Sequence, residues 1–462
     1  MYFEQFYLGC LAHASYLIGS AGEAAVIDPQ RDVEEYLNVA QQHGLKIRHI
    51  FETHLHADFV SGHKELASRT GAQIYIGREA AATFPHVDVQ DGFQLQFGRC
   101  QVSVLETPGH TPESICLVVA DLERSANPWA VFTGDTLFIG DVGRPDLSRT
   151  HSAQQLASML YDSLHNKLMK LPDDVLVYPA HGAGSLCGRN MRAERSSTVG
   201  TERLTNYALQ ISSREEFVRQ MTSNLPTRPE YFAQDAEINR EGAPALAELP
   251  PLSPVSADGL QAMIADGMPA LDVRPPEEFA KGHVPCSINI GLSGQFASWA
   301  GSLLGLKSRP VLIADSSERI NESRTRLARV GIEQLGGCLQ NGLIGWRNAG
   351  FTVAELPQMT VHTLKDHLNE RDLYILDVRR PGEWEAGHLE SAQLWPLDRF
   401  REGLPSLEKS APIAVHCKSG YRSTIACSLL MRAGYKNVTN IVGGYDAWEA
   451  AKLPSVKAEA AS

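Results

Sequence analysis

Apolar positions fall into short runs over the first 240 residues. Runs at 2–8, 15–18 and 24–27 predict successive strands, the spacing over 33–43 predicts a helix, and 47–51 predicts the next strand. Runs at 102–105, 130–132 and 175–178 continue the pattern. Mixed strands with intervening helices predict an αβ/βα sandwich for residues 1–240. Beyond residue 257 the alternation is stricter: 374–378 and 413–416 predict strands, 381–386 and 423–433 helices. That pattern predicts α/β domains whose parallel sheets are covered by helices on both faces. Between the two regimes, residues 241–256 hold Pro244, Pro250, Pro251 and Pro254. Proline fixes φ and removes a donor, so this stretch is expected to be an extended linker, neither a helix nor a central strand.

The second half of the chain repeats itself. Leu271-Asp272-Val273-Arg274 and Gly282-His283 return as Leu376-Asp377-Val378-Arg379 and Gly387-His388, and Gly342 and Trp346 return as Gly444 and Trp448. Two copies of about one hundred residues make two domains, 257–352 and 358–455, and not a solenoid. With 1–240 they make three domains, as 462 residues suggest at roughly 150 per domain. The tail from Ser455 is expected to fray.

Composition narrows the class. With 42 basic against 54 acidic residues the net charge is −12, which disfavours a grip on nucleic acid or an anionic membrane. Hydrophobic residues at 43% and charged ones at 21% fit packed globular domains. No apolar run approaches the roughly 18 residues of a membrane span. Glu4 and the lack of a basic cluster make the amino terminus read as a strand and not a signal peptide. Eight cysteines without a C-x-x-C pair disfavour a disulfide framework or zinc ribbon and lead us to expect a cytoplasmic protein. Cys286 and Cys338 are expected in the core of the middle repeat.

The candidate chemistry begins after strand 47–51, at Thr53-His54-Leu55-His56-Ala57-Asp58-Phe59. Two imidazoles and a carboxylate at a strand exit suit a core badly. Thr107-Pro108-Gly109-His110, Thr133-Gly134-Asp135 and Tyr178-Pro179-Ala180-His181 likewise end apolar runs, so all four motifs can converge on one edge of the sandwich. Imidazole and carboxylate donors together suit zinc or iron.

The order H-x-H-x-D, P-G-H, T-G-D, P-A-H resembles the metallo-β-lactamase superfamily over residues 1–235. Hydrolases of that superfamily such as glyoxalase II carry a histidine directly after the motif's aspartate. Phe59 stands there and cannot ligate, so a mononuclear centre is expected. The segment from Gly134 to Arg144, GDTLFIGDVGR, resembles the persulfide dioxygenases. That resemblance implies one Fe(II) per chain, held by His54, His110 and Asp135, with zinc as the alternative metal. Two histidines and one carboxylate on one face of Fe(II) leave positions open for O₂ and a substrate sulfur. His56 and Asp58 would orient the ligands from behind. Direct ligation by His56, and a second position built from Asp58, His181 and a shared Asp135, stay open. The resemblance also puts Arg144 near the persulfide substrate. Cys187 lies in the glycine-rich loop after His181, with Arg189 and Arg192 following. It is either a small apolar residue under a loop or a sulfane-sulfur acceptor whose thiolate the arginines favour.

A second candidate site follows strand 413–416: Cys417-Lys418-Ser419-Gly420-Tyr421-Arg422, then a helix near Ser423. Converging N–H groups at a helix amino terminus favour an anion, Lys418 and Arg422 add positive charge, and a cysteine's nucleophile is its thiolate. The C-x4-R spacing is tighter than the C-x5-R of tyrosine phosphatases. Residues 358–455 resemble rhodaneses, which implies that Cys417 carries transferable sulfane sulfur. Asp377 and Arg379 read as structural and Cys427 as inert. Aligning Arg309-Pro310 with Ala411-Pro412 puts Asp315 opposite Cys417 and Ile320 opposite Arg422. Residues 257–352 therefore look like a rhodanese fold without its activity.

The whole order is similar to bacterial persulfide dioxygenase–rhodanese fusions. The resemblance implies oxidation of a low-molecular-weight thiol persulfide by O₂, giving thiol and sulfite, and sulfur transfer through Cys417 that makes or consumes thiosulfate in sulfide detoxification. The partners expected are these small molecules, with no nucleic acid and no membrane, in a homo-oligomer. Two alternatives stay open: a zinc-dependent thioester hydrolase of glyoxalase II type fused to a sulfurtransferase, which Phe59 opposes, and a sulfur carrier or sensor that oxidises nothing.

Overall fold

The computed structural model describes residues 1–223, 225, 227–368 and 372–457. Tyr2–Leu8 (β1), His13–Ser20 (β2), Glu23–Ile27 (β3), Lys46–Glu52 (β4), Gln73–Gly77 (β5) and Val87–Val89 (β6) form one sheet in chain order. Gln94–Phe97 (β7), Cys100–Glu106 (β8), Ile115–Asp121 (β9), Ala130–Gly134 (β10), Leu176–Pro179 (β11) and Ser197–Thr198 (β12) form a second. Alternate residues of a strand share a face. Tyr16, Ile18, Phe51, Val102, Val104, Leu117 and Phe132 thereby meet in one core between the sheets. Leu17, Val26, Ile50 and Ile74 point the other way, under helices Glu34–Gln42 and His63–Thr70. Helices Ala153–Asp162 and Arg214–Thr222 cover Val131 and Val177 on the far side. The expected αβ/βα sandwich is present.

Pro254–Val255 (β13), Ala270–Asp272 (β14), Ile288–Asn289 (β15), Val311–Ile313 (β16) and Gly337–Leu339 (β17) form a parallel sheet in the order β13-β17-β16-β14-β15. Gln358–Met359 (β18), Tyr374–Asp377 (β19), Ala392–Leu394 (β20), Pro412–His416 (β21) and Asn437–Ile441 (β22) repeat that topology as β18-β22-β21-β19-β20. By packing, the chain divides into a unit of Met1–Leu249 with Ala328–Gly331 and a unit of the described residues from Pro250 onward without Ala328–Gly331. No described helix is long and apolar enough to cross a membrane.

Three local expectations are corrected. The proline-rich stretch is not linker throughout, because Pro254–Val255 already pairs with β17. Its place at the sheet edge is where a missing N–H does least harm. The tail does not fray from Ser455: Val456 exchanges both backbone hydrogen bonds with His388, at 2.9 and 2.8 Å. Residues 458–462 of that tail lie outside the described ones. Cys286 is exposed and not core, on a left-handed turn with φ of 63°, and Cys338 is half-buried.

Candidate metal centre and sulfur-transfer loop

Asp28, directly after β3, builds the first site by catching the chain as it leaves β4. Thr53 donates its N–H to Asp28 Oδ1 at 2.7 Å and its hydroxyl to Oδ2 at 2.9 Å. With that proton committed, Thr53 Oγ1 accepts from His54 Nδ1 at 3.0 Å. His110 Nδ1 donates to the Arg144 carbonyl at 2.9 Å, and Asp135 Oδ1 accepts from His181 Nδ1 at 2.7 Å. Each bond fixes the far side of a side chain and aims its other polar atom inward. The three atoms left over are His54 Nε2, His110 Nε2 and Asp135 Oδ2. They are buried, have no hydrogen-bond partner among the described residues, and lie within 4.8 Å of one another. Orphaned buried polar groups cost about 1–3 kcal/mol each, so three facing one another fit a bound ion.

Protonation agrees. Burial, reinforced by His56, holds His54 well below the ordinary histidine range, and burial lowers His110 too. Burial opposes ionisation of Asp135, but the imidazoles around it, His181 first, hold its carboxyl well below the usual range. Neutral imidazoles and an ionised carboxylate are what a metal needs. Burial would also lower His181, yet Asp135 and Asp58 hold it well above its ordinary value. His181 Nε2 lies 3.0 Å from Asp58 Oδ2. His56, Asp58 and His181 form a second trio within 4.8 Å. His56 Nε2 itself lies 3.1 Å from Asp28 Oδ1 and 3.5 Å from Glu52 Oε2. Phe59 is wholly buried, its ring centroid 4.4 Å from that of His56 and 4.1 Å from that of His13.

Two expected residues sit differently from the reading of the sequence. Arg144 was placed against substrate, but its guanidinium is buried and paired with Asp146 through Nε at 2.7 Å and Nη2 at 2.9 Å. What it offers the centre is its carbonyl. Gly143 allows this close approach, since a Cβ there would lie 2.0 Å from the Asp135 carbonyl and 2.8 Å from His110 Nδ1. Cys187 does reach the site, its Sγ within 4.8 Å of Asp135 and His181 donor atoms. The arginines do not favour its thiolate: Arg189 donates to the Met221 carbonyl and Arg192 to Glu202. Burial, then Asp58 and Asp135, push the Cys187 thiol well above its ordinary value.

Asp28, Thr53, Glu52 and His13 were not singled out from the sequence. A carboxylate at the exit of strand 24–27 was a readable signal for Asp28. Nothing local marks His13, which starts β2, bridges to His181 through the backbone, and keeps an unpartnered buried Nε2 among the described residues.

In the last repeat Cys417 follows β21 and is buried. Gly420 donates its N–H to Cys417 Sγ at 3.1 Å. Tyr445 and Asp446 donate theirs to the Cys417 and Lys418 carbonyls, at 2.8 and 2.9 Å. Gly444 is required there, with φ of 54° and no room for a Cβ, which would lie 2.3 Å from the Cys417 oxygen. Lys418 is exposed. Arg422 pairs with Glu383 through Nη1 at 2.6 Å and Nη2 at 2.7 Å. Asp377 and Arg379 form a buried pair whose Nη2 also donates to the Gly387 carbonyl. Burial pushes the Cys427 thiol up, as befits an inert cysteine.

The structure shifts the register between the repeats. Val273 donates to the Ile313 carbonyl as Val378 does to that of His416. A Cβ on Gly342 would meet the Ala314 oxygen at 2.2 Å, just as one on Gly444 meets that of Cys417. Ala314, not Asp315, therefore stands at the place of Cys417. The helix Ser317–Ala328 then starts three residues later, against four in the last repeat, so Glu318 and not Ile320 matches Arg422. The loop has lost one residue as well as its nucleophile.

Residues 8–181 match the metallo-beta-lactamase superfamily, and residues 256–349 and 360–451 each match the rhodanese-like domain. The chain is 36% identical over 221 residues to "Persulfide dioxygenase ETHE1, mitochondrial" of Bos taurus, covering 46% of this chain and 77% of that protein. It is 30% identical over 230 residues to a hydroxyacylglutathione hydrolase of Rhodospirillum rubrum, covering 48% and 77%. The crystal structure of a metallo-beta-lactamase from Staphylococcus aureus subsp. aureus COL aligns with a TM-score of 0.65 at 32% identity, over 73% of this chain and 98% of that one. That last alignment extends beyond the sandwich into the repeats. The chain belongs to the metallo-β-lactamase superfamily, in its persulfide dioxygenase family, and bears two rhodanese-like domains behind the histidine-rich one.

Proposed function

We propose that the chain oxidises low-molecular-weight thiol persulfides and moves sulfane sulfur through Cys417. The balanced first reaction is RSSH + O₂ + H₂O giving RSH, sulfite and two protons. The observation that carries it is the trio of orphaned atoms on His54, His110 and Asp135, beside the neighbouring trio of His56, Asp58 and His181, where Phe59 stands and offers no ligand. His54, His110 and Asp135 would hold one Fe(II), which would supply redox chemistry for O₂ and the substrate sulfur. The chain's own part is orientation. Asp28 and Thr53 fix the tautomer of His54, the Arg144 carbonyl fixes that of His110, and His181 holds Asp135 Oδ1 so that Oδ2 faces inward. Arg144 acts through His110 as a positioning residue. Cys187, whose Sγ lies within 4.8 Å of donor atoms of Asp135 and His181, is the acceptor if sulfur leaves the small thiol.

At the second site the Cys417 thiolate takes the outer sulfur of thiosulfate and releases sulfite, or runs in reverse to form thiosulfate. The Gly420 N–H meets the reacting sulfur, the exposed Lys418 adds positive charge for an anionic substrate, and Arg422 is held by Glu383 at the start of the helix. Sulfite made by the first reaction is a substrate of the second, which gives the fusion its chemical sense in sulfide detoxification.

Metal analysis of protein purified without added metal, with oxygen uptake on glutathione persulfide, tests the reading. About one iron per chain and persulfide-dependent uptake are expected. Two zincs with thioester hydrolysis would establish the hydrolase instead, and absence of uptake by iron-loaded protein would leave a sulfur carrier.

A further inference from the structure

The helix Tyr421–Arg432 starts where the sulfur-transfer loop ends, and residues 423–428 and Leu430 along it are buried. A helix buried around most of its circumference needs two partners. One is its own sheet, β21 and β22. The other is the middle repeat, which lacks the loop cysteine, at three points along its length. Tyr421 donates its hydroxyl to the Gly291 carbonyl at 2.8 Å. Asn289 of edge strand β15 donates its N–H to Ser428 Oγ at 3.1 Å. Arg432 donates to the Cys286 and Gly267 carbonyls, each at 2.9 Å.

The first of these points touches the loop itself. Tyr421 directly follows Gly420, whose N–H lies on Cys417 Sγ, so the position of the tyrosine sets the aim of that donor. A Cβ on Gly294 of the middle repeat would lie 3.4 Å from the Tyr421 ring, so the ring rests against that segment as well as bonding to it. The loop's other anchors, the N–H groups of Tyr445 and Asp446 and the Arg422–Glu383 pair, all come from its own repeat.

We propose that the middle repeat, which has no cysteine at the loop position, is a positioning partner of the sulfur-transfer loop, acting through the Gly291 carbonyl and the Tyr421 hydroxyl. This rests on the rhodanese reading of Cys417 only for its catalytic consequence. Loss of its own nucleophile left that repeat free to keep the fold for the sake of its neighbour's loop, and Tyr421 is a positioning residue held from outside its domain.

The test uses the full chain with Tyr421→Phe, which keeps the ring and removes its hydrogen bond, and Gly294→Ala, which strains the left-handed backbone (φ of 79°) of the segment the ring rests against. Alkylation of Cys417 by iodoacetamide is followed by peptide mass spectrometry, beside thiosulfate–cyanide transfer kinetics. Both variants should slow alkylation and kcat about three- to tenfold, the worth of one misplaced hydrogen bond, with KM for thiosulfate within about twofold. Alkylation at the unaltered rate in both variants overturns the proposal, and so does a loss confined to KM, which would make Tyr421 a substrate contact. No transfer by the unaltered protein would instead overturn the rhodanese reading, while alkylation still decides this one.

Discussion

Thr53 shows how much one hydroxyl can carry. It passes the charge of Asp28 to His54 and so decides which imidazole nitrogen faces the centre. Replacing Thr53 by Val keeps shape and removes the relay, and iron affinity should fall about 10- to 100-fold in chelator competition. Unchanged affinity would show that His54 needs no such support. Glu383 is the counterpart at the second site. Burial alone would raise its pKa, but the Arg422 guanidinium outweighs that and holds the carboxyl at about 2 against an ordinary 4.5. A folded value below the unfolded one means the pairing contributes fully above pH 4.5 and is lost as pH falls towards 2. The thermal midpoints of the unaltered protein and Glu383→Gln should therefore differ near neutrality and converge in acid. A gap that persists or widens in acid would contradict this sign. That His54, His110, Asp135 and His181 converge is legible in the sequence because each motif ends an apolar run, whereas the choice of His54, His110 and Asp135 as ligands rests on the family resemblance. Asp146, which takes the Arg144 guanidinium, was equally near in sequence, but nothing local says which of two partners an arginine chooses.

Strand registers were less legible than strands. The runs at 374–378 and 413–416 became β19 and β21 within a residue, and helix 381–386 matched Pro381–Ala386. Matching the repeats at Pro310 and Pro412 puts Asp315 opposite Cys417, whereas the sheet, in which Asp272 pairs with Ile313 as Asp377 does with His416, puts Ala314 there. Ala314→Cys is thus the substitution that restores a sulfur to the right place. In a Cys417→Ser background it should still give no thiocyanate from thiosulfate and cyanide, since the loop is one residue short and carries Glu318 where the last repeat has Arg422. Robust thiocyanate formation by that double variant would show that the shortened loop suffices.

At the scale of the molecule, the sandwich with the candidate metal site and the repeat with Cys417 have separate cores, so the proposed activities should separate. His110→Ala should abolish iron binding and oxygen uptake and leave thiosulfate–cyanide transfer nearly intact. Cys417→Ser should do the converse. Full iron occupancy in His110→Ala would refute the ligand set. The sequence alone determined the domain order, the donor types in each motif and the exclusion of a ligand at Phe59, because these depend on periodicity and on residues adjacent in the chain. The tertiary structure decided which nitrogen each histidine turns inward, that burial beside Asp58 and Asp135 pushes the Cys187 thiol up, that Ala314 faces Gly342, and that Tyr421 leans on another repeat. Each of these is set by a partner distant in sequence, and hydrogen bonding and desolvation act on neighbours in space.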